Sequence, residues 1–176
     1  MIKPKTSRKP ARVLRRQTRF KNGIVSGTEN PAGLKCVFYE LEDGAVAAQF
    51  TGGPLQEGHN GLLHGGLIAS VLDEAMGRSS RNAGRPMDLP VVTAEMTTRF
   101  IRPIPTGKVM TVYGWVERIE GRKRFAAGEI VDEEGNVMAS SAGLFLTVEQ
   151  AGSDNPEFYR KVPQYEEIDE KDPKIL

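Results

Sequence analysis

Gly58-His59-Asn60-Gly61-Leu62-Leu63-His64-Gly65-Gly66-Leu67-Ile68-Ala69-Ser70-Val71-Leu72-Asp73-Glu74-Ala75-Met76-Gly77 is a glycine-punctuated segment that turns into a helix. Residues 52–63 hold too much glycine for regular structure and read as a loop. From Gly66 to about Asn82 the pattern is helical, because Leu67, Ile68, Val71, Leu72, Ala75 and Met76 recur at three and four residues. Apolar residues occupy roughly half the circumference, so half of this helix demands cover. Its start has a chemical consequence as well. The first N–H groups of a helix lack intrahelical partners and carry partial positive charge, and glycines there let a ligand carbonyl approach the backbone.

Cover comes from the flanking sequence. Gly84, Pro86 and Pro90 break the helical pattern, and residues 91–102, 108–119, 123–131 and 137–148 read as four strands. Pro103 and Pro105 stop the first of these, since proline cannot donate to a ladder. Glu120-Gly121 and Glu134-Gly135-Asn136 supply turns. In the last strand Met138, Ala142, Leu144, Leu146 and Val148 share one face, the period of two expected when one side is buried. Before the loop, residues 35–42 and 45–51 make a hairpin about Asp43-Gly44, preceded by the turn Asn30-Pro31-Ala32-Gly33. The expectation is an α+β fold in which one helix and one curved antiparallel sheet cover each other. There is no internal repeat.

A chain of 176 residues fits one domain, placed at 23–150. With 24 basic and 23 acidic residues the net charge is +1, and no overall field favours nucleic acid or an anionic membrane. The asymmetry is local. Nine Lys or Arg and no acid lie between Lys3 and Lys21, whereas the segment from Asp154 onward is mainly acidic with three prolines. Residues 1–22 therefore read as a flexible basic arm with too little apolar content to pack, and 151–176 as an acidic tail. An Arg-rich start is also compatible with a transit peptide or with phosphate contacts. No apolar run approaches the roughly 18 residues that span a bilayer, so a cytoplasmic protein is expected. Cys36 is the lone cysteine, which excludes an intramolecular disulfide and a Cys-rich zinc site and leaves a packing role. His59 and His64 alone do not make a metal set, and nothing demands a cofactor.

The spaced His64-Gly65-Gly66 and Asp73, nine positions on, closely resemble the signature of the phenylacetate-pathway (PaaI-type) thioesterases of the hotdog-fold superfamily. Asn30-Pro31-Ala32-Gly33-Leu34 and Phe100-Ile101-Arg102-Pro103 are similar to two further elements of that family, and the similarity covers about 27–149. It implies a long central helix wrapped by the sheet, homodimers that often pair into tetramers, and hydrolysis of an acyl-CoA or aryl-CoA thioester. It also implies roles. The Gly65 amide stabilises the oxyanion, Asp73 is general base or nucleophile, and Thr93 helps to hold the attacking water. His64 orients the loop or touches the thioester, Asn60 polarises the carbonyl, and Gly66 and His59 contact substrate. In such dimers Gly65 of one subunit faces Asp73 of the other.

Local chemistry bears on these roles. Glu74 has Arg78 at i+4, a ready surface ion pair, whereas Asp73 has the small Ala69 and Gly77 at its i−4 and i+4 positions, which leaves room for a ligand. The phosphates of coenzyme A call for cations, and Arg99, Arg102, Lys108 and Arg122, with Lys123 and Arg124, fall at or near strand ends. Met87, Met96, Phe100 and Trp115 are candidates for the acyl pocket. A competing reading is a dehydratase or hydratase of the same fold, since His59 precedes Asp73 by the fourteen positions found in β-hydroxyacyl carrier-protein dehydratases. His64-Gly65-Gly66-Leu67 stands where those enzymes carry Pro-Gly-Val-Leu. A third reading is a non-catalytic acyl-CoA-binding module, in which a carboxylate beside a thioester has no use.

Overall fold

The apolar repeat becomes the buried face of helix α1 (Gly65–Asn82) in a computed structural model that describes residues 6–83, 90–148 and 165–176. Val71, Leu72, Ala75 and Met76 are wholly inaccessible. The helix lies on an antiparallel sheet whose strands, in chain order, are β1 (Val13–Gln17), β2 (Val37–Leu41), β3 (Val46–Thr51), β6 (Val91–Phe100), β7 (Val109–Glu120), β8 (Lys123–Val131), β9 (Val137–Thr147) and β10 (Tyr165–Glu166). The spatial order is β10-β1-β2-β3-β7-β8-β9-β6. Two short strands, β4 (Glu57–His59) and β5 (Leu62–Leu63), pair with each other just before α1. The α+β architecture and the four-strand second half match the sequence expectation, and Gly44 has φ 83° in the expected hairpin turn. No described helix is long and apolar enough to cross a membrane.

Glycines let the sheet close on the helix. Gly114 of β7 and Gly128 of β8 face each other across the ladder. A Cβ on Gly114 would stand 2.4 Å from the Ala75 carbonyl, and one on Gly128 3.2 Å from Met76 Cγ. We expect Gly114→Ala to destabilise the fold by about 1–3 kcal/mol, the range for overpacking a core, because the obstacle is backbone and cannot rotate away. Chemical denaturation of the variant checks this: an unchanged midpoint would mean the helix lies farther from the sheet.

Four expectations are corrected. Residues 52–63 are not wholly irregular, because a 3₁₀ turn (Pro54–Gln56) and the β4–β5 hairpin form there. In β9 Phe145, not Leu144 or Leu146, packs among the helix residues, and Ala142 is exposed. Both faces of that strand carry apolar side chains, so alternation alone did not separate them.

The basic arm and the acidic tail are the other two. Residues 13–17 form β1, paired with β2, and residues 165–166 form β10, paired with β1. Their opposite charges, read separately as solvated ends, neutralise each other. Arg16 meets Glu166 at 3.1 Å, Asp169 at 3.5 Å and Asp172 at 3.1 Å. Buried Asp172 also accepts the Tyr39 hydroxyl at 2.6 Å. Leu176 and Ala11 exchange backbone hydrogen bonds and join a second apolar cluster with Tyr39, Leu41 and Tyr113 on the sheet face away from α1. Arg8 stacks over Tyr113 and Trp115 on that same face. Residues 1–5 of the arm and 151–164 of the tail lie outside the described residues.

Candidate active site

His64 builds the helix start. With φ −63° and ψ 132° it caps α1, its Nδ1 accepting the Gly66 N–H at 2.9 Å. That bond places the ring proton of neutral imidazole on Nε2. Gly58 makes room for the ring, since a Cβ there would lie 2.8 Å from His64 Cα and 2.9 Å from Cδ2. Gly66 is equally constrained, with a Cβ at 3.0 Å from Nδ1. The amide of Gly66 is thus committed to the cap. Gly65, one residue earlier, has no intrahelical partner for its own N–H. The Phe100 ring lies beside it, 3.6 Å from where a Cβ would sit.

Midway along α1 lies the second half of the site. Thr93, near the start of β6, donates from Oγ1 to Asp73 Oδ1 at 2.7 Å, joining two residues twenty positions apart in sequence. Both line a cavity of about 560 Å³. Its walls are apolar where Phe20, Ile24, Val25, Val91 and Phe145 meet, and Ser70 adds a hydroxyl. Along the helix eight residues separate Asp73 from Gly65, about 12 Å of rise. No single carbonyl is reached by both within one chain.

Glu74 and Arg78 do pair, at 2.8 Å, but not on the surface. Arg78 is buried, stacks over Phe38 with 4.7 Å to the ring centroid, and donates to Ser26 Oγ and the Thr18 carbonyl. It ties the chain between β1 and β2 onto the outer side of the helix. Cys36 is buried nearby. Burial, reinforced by the Glu74 charge, pushes its thiol up to about 12, so it packs and is no nucleophile at neutral pH.

The remaining sequence candidates are dispersed. His59 and Asn60 are exposed at the tip of the β4–β5 hairpin. Arg99 and Arg102 flank Phe100 at the helix-start end, whereas Arg122 lies in the β7–β8 turn, its carbonyl bonded to Thr147, at the opposite end of β9. Lys108 lines a different cavity of about 220 Å³ together with Asp132, Glu133 and Glu134. Arg124 is buried and bonded to the Gly121 carbonyl, so it is withdrawn as a phosphate contact. Trp115 packs on the sheet face away from Asp73, and Met96 packs against the core. Met87 lies outside the described residues. Sequence reasoning missed Phe20, Ile24, Val25 and Arg81, all lining the Asp73 cavity. One signal was present, an aromatic and an Ile-Val pair closing an otherwise basic stretch.

Residues 60–139, which carry the helix and the strands on either side of Asp73, match the family described as Thioesterase superfamily. Over those 80 of 176 residues the chain is similar to the thioesterase superfamily. The chain is 32% identical over 126 residues to acyl-coenzyme A thioesterase THEM4 of Bos taurus, covering 70% of the chain and 50% of that protein. It therefore spans about half the length of the curated relative it matches. Among solved structures it is similar to RHA08564, a thioesterase superfamily protein, with TM-score 0.66 and 32% identity over 72% of this chain and 60% of that one. It shares its fold with the E. coli PaaI protein of the phenylacetic acid degradation operon, at TM-score 0.60 and 21% identity over 69% and 87% of the two chains. The hotdog expectation drawn from His64-Gly65-Gly66 and Asp73 is thereby met.

Proposed function

We propose that this protein hydrolyses acyl-CoA or aryl-CoA thioesters, with Asp73 as the base that activates water. The observation that carries the reading is the Thr93–Asp73 hydrogen bond on the wall of a partly apolar cavity. Thr93 occupies one carboxylate oxygen as donor and keeps lone pairs to accept from water. A water bonded to Asp73 Oδ2 and Thr93 Oγ1 presents its own lone pair outward, toward a carbonyl. Its attack forms the C–O bond, a proton passes to Asp73, and collapse of the tetrahedral intermediate breaks the C–S bond. The proton leaves with the CoA sulfur. The resemblance to a protein named as an acyl-coenzyme A thioesterase supports this substrate class.

The oxyanion needs a donor that Asp73's own chain does not bring near. Strand β6 is ten residues long and, as the last strand in the sheet order, has one neighbour among the described strands. Long unprotected edges invite pairing, and a two-fold dimer through β6 removes the liability. Phe100 at the far end of β6 touches the Gly65 region, so antiparallel pairing of two β6 strands brings one subunit's helix start toward the other's Thr93 and Asp73. The Gly65 amide then supplies the oxyanion contact, with Asn60 and His59 bordering it and Arg99 and Arg102 toward the CoA phosphates.

The test is thiol release from a panel of acyl- and arylacyl-CoA thioesters, run beside water addition to an enoyl-CoA and beside calorimetric binding. Thiol release with at least one thioester, and no hydration, is expected. Hydration without hydrolysis would favour the His59–Asp73 dehydratase reading, and binding without turnover a non-catalytic acyl-CoA-binding module. Either would overturn the proposal.

A further inference from the structure

Arg81 has no role in the chemistry above, yet it lines the same cavity as Asp73 and Thr93. It sits in the last turn of α1 and is half-buried. Its Nε is buried without a hydrogen-bond partner, and it enters none of the ion pairs formed among the described residues. A cation in the last helical turn does complement the helix dipole. That benefit requires no burial, and an exposed lysine provides it equally. Burial, and then the charge of Arg78, lowers the Arg81 pKa, with Tyr165 opposing. Neither acid on the cavity wall offsets this. Glu74 is engaged by Arg78, and Asp73 is bonded to Thr93.

The other walls say what accompanies the charge. Phe20 and Ile24 keep half or nearly half of their surface, 50% and 45%, exposed in a cavity whose floor includes Val25 and Phe145. Residues 20–25, which build this wall, fall outside the residues 60–139 matched to the family. A partly apolar cavity lined by a guanidinium that has no acid partner among the described residues suits a ligand with an apolar stem and an anionic end. A buried charge left alone is costly, and a carboxylate presented to it forms charge-assisted, bidentate bonds.

Resting on the thioesterase reading, we infer that the cavity takes acyl groups that end in a carboxylate, and that Arg81 is the residue that selects them. The substrate class is then the CoA monothioester of a dicarboxylic acid. Arg81 lies eight residues beyond Asp73, about 12 Å along the axis, and helical side chains lean back toward the N-terminus. That spacing suits roughly six- to eight-carbon diacids.

The experiment compares kcat/KM for adipyl-CoA against hexanoyl-CoA and suberyl-CoA against octanoyl-CoA. The wild type should prefer the carboxylated member of at least one pair by tenfold or more. Arg81→Met, which keeps the apolar stem, should lose on the order of 10–100-fold on that member and leave its uncharged partner unchanged. Arg81→Lys should recover part of the loss. Equal rates within both pairs, equal losses on both members in a variant with wild-type melting, or a preference for a neutral arylacyl group would each overturn the inference. Calorimetric binding of adipyl-CoA against hexanoyl-CoA separates the two proposals. If no thioester turns over, the hydrolase reading falls, while a binding difference abolished in Arg81→Met still upholds the role of Arg81.

Discussion

Asp73→Asn should lower kcat by about 10²–10⁴, the range for loss of a positioned general base, with KM little changed. The substitution is nearly isosteric, and the new amide oxygen still accepts the Thr93 hydroxyl, which reaches Asp73 Oδ1 at 2.7 Å in the native protein. Geometry is kept and basicity is lost. Asp73→Ala should fall as far, because the base and the water's anchor disappear together. Glu74→Gln is the contrasting case. Its partner Arg78 is buried, so removing the Glu74 charge strands a cation and lowers the melting temperature, while turnover per folded molecule holds. Steady-state rates and melting curves of the three variants decide the matter. Full turnover by both Asp73 variants would remove Asp73 from the chemistry.

Gly65→Pro should cost about 10²–10³ in kcat without unfolding the helix, the typical loss on removing one oxyanion donor. Proline is well tolerated at the first helical position, where its missing N–H has no intrahelical acceptor to forsake. His64 already holds φ −63° and ψ 132°, the extended conformation that a following proline requires. The nearest atom to a new Cβ, on the Phe100 ring, lies at an ordinary contact distance of 3.6 Å. Gly65→Ala adds the Cβ and keeps the N–H, so it should retain most activity. Equal rates for the proline and alanine variants would exclude the Gly65 amide. The pair also tests a shared site. Refolding Gly65→Pro together with Asp73→Asn should restore about a quarter of the wild-type rate, since half the dimers are mixed and each has one intact site of two. No restoration is expected if both groups act within one chain.

The legible parts of this site are those whose constraint is local. His64-Gly65-Gly66 announces a helix start because close backbone approach depends on adjacent residues, whereas the His64 cap on the Gly66 N–H came from the structure. Asp73 stood apart from Glu74 through its small neighbours at one helical turn; both acids line the cavity, where Asp73 accepts from Thr93 and Glu74 pairs with Arg78. Thr93 is different. Only the resemblance pointed to it, because a threonine in a strand carries no mark of the helix it will meet. Arg81 gave no usable signal, and the aromatic Phe20 in its basic stretch gave a faint one, since each becomes part of the cavity only when β1 and the chain after it fold back over α1.

From the amino-acid order alone came the helix and its glycine-bearing start, the four strands that follow, the lone packing cysteine and the difference between the neighbours of Asp73 and of Glu74. These follow from periodicity, turn chemistry and neighbour size, which act over a few residues. Tertiary structure decided that the oppositely charged ends pair into the sheet, that Phe145 rather than its neighbours faces the helix, and that Arg78 is buried instead of solvated. It also decided that Arg81 lines the cavity that holds Asp73 and Thr93. Each of these depends on contacts between segments far apart in the chain, whose free energy exists only once the sheet has closed on the helix, and no local pattern encodes it.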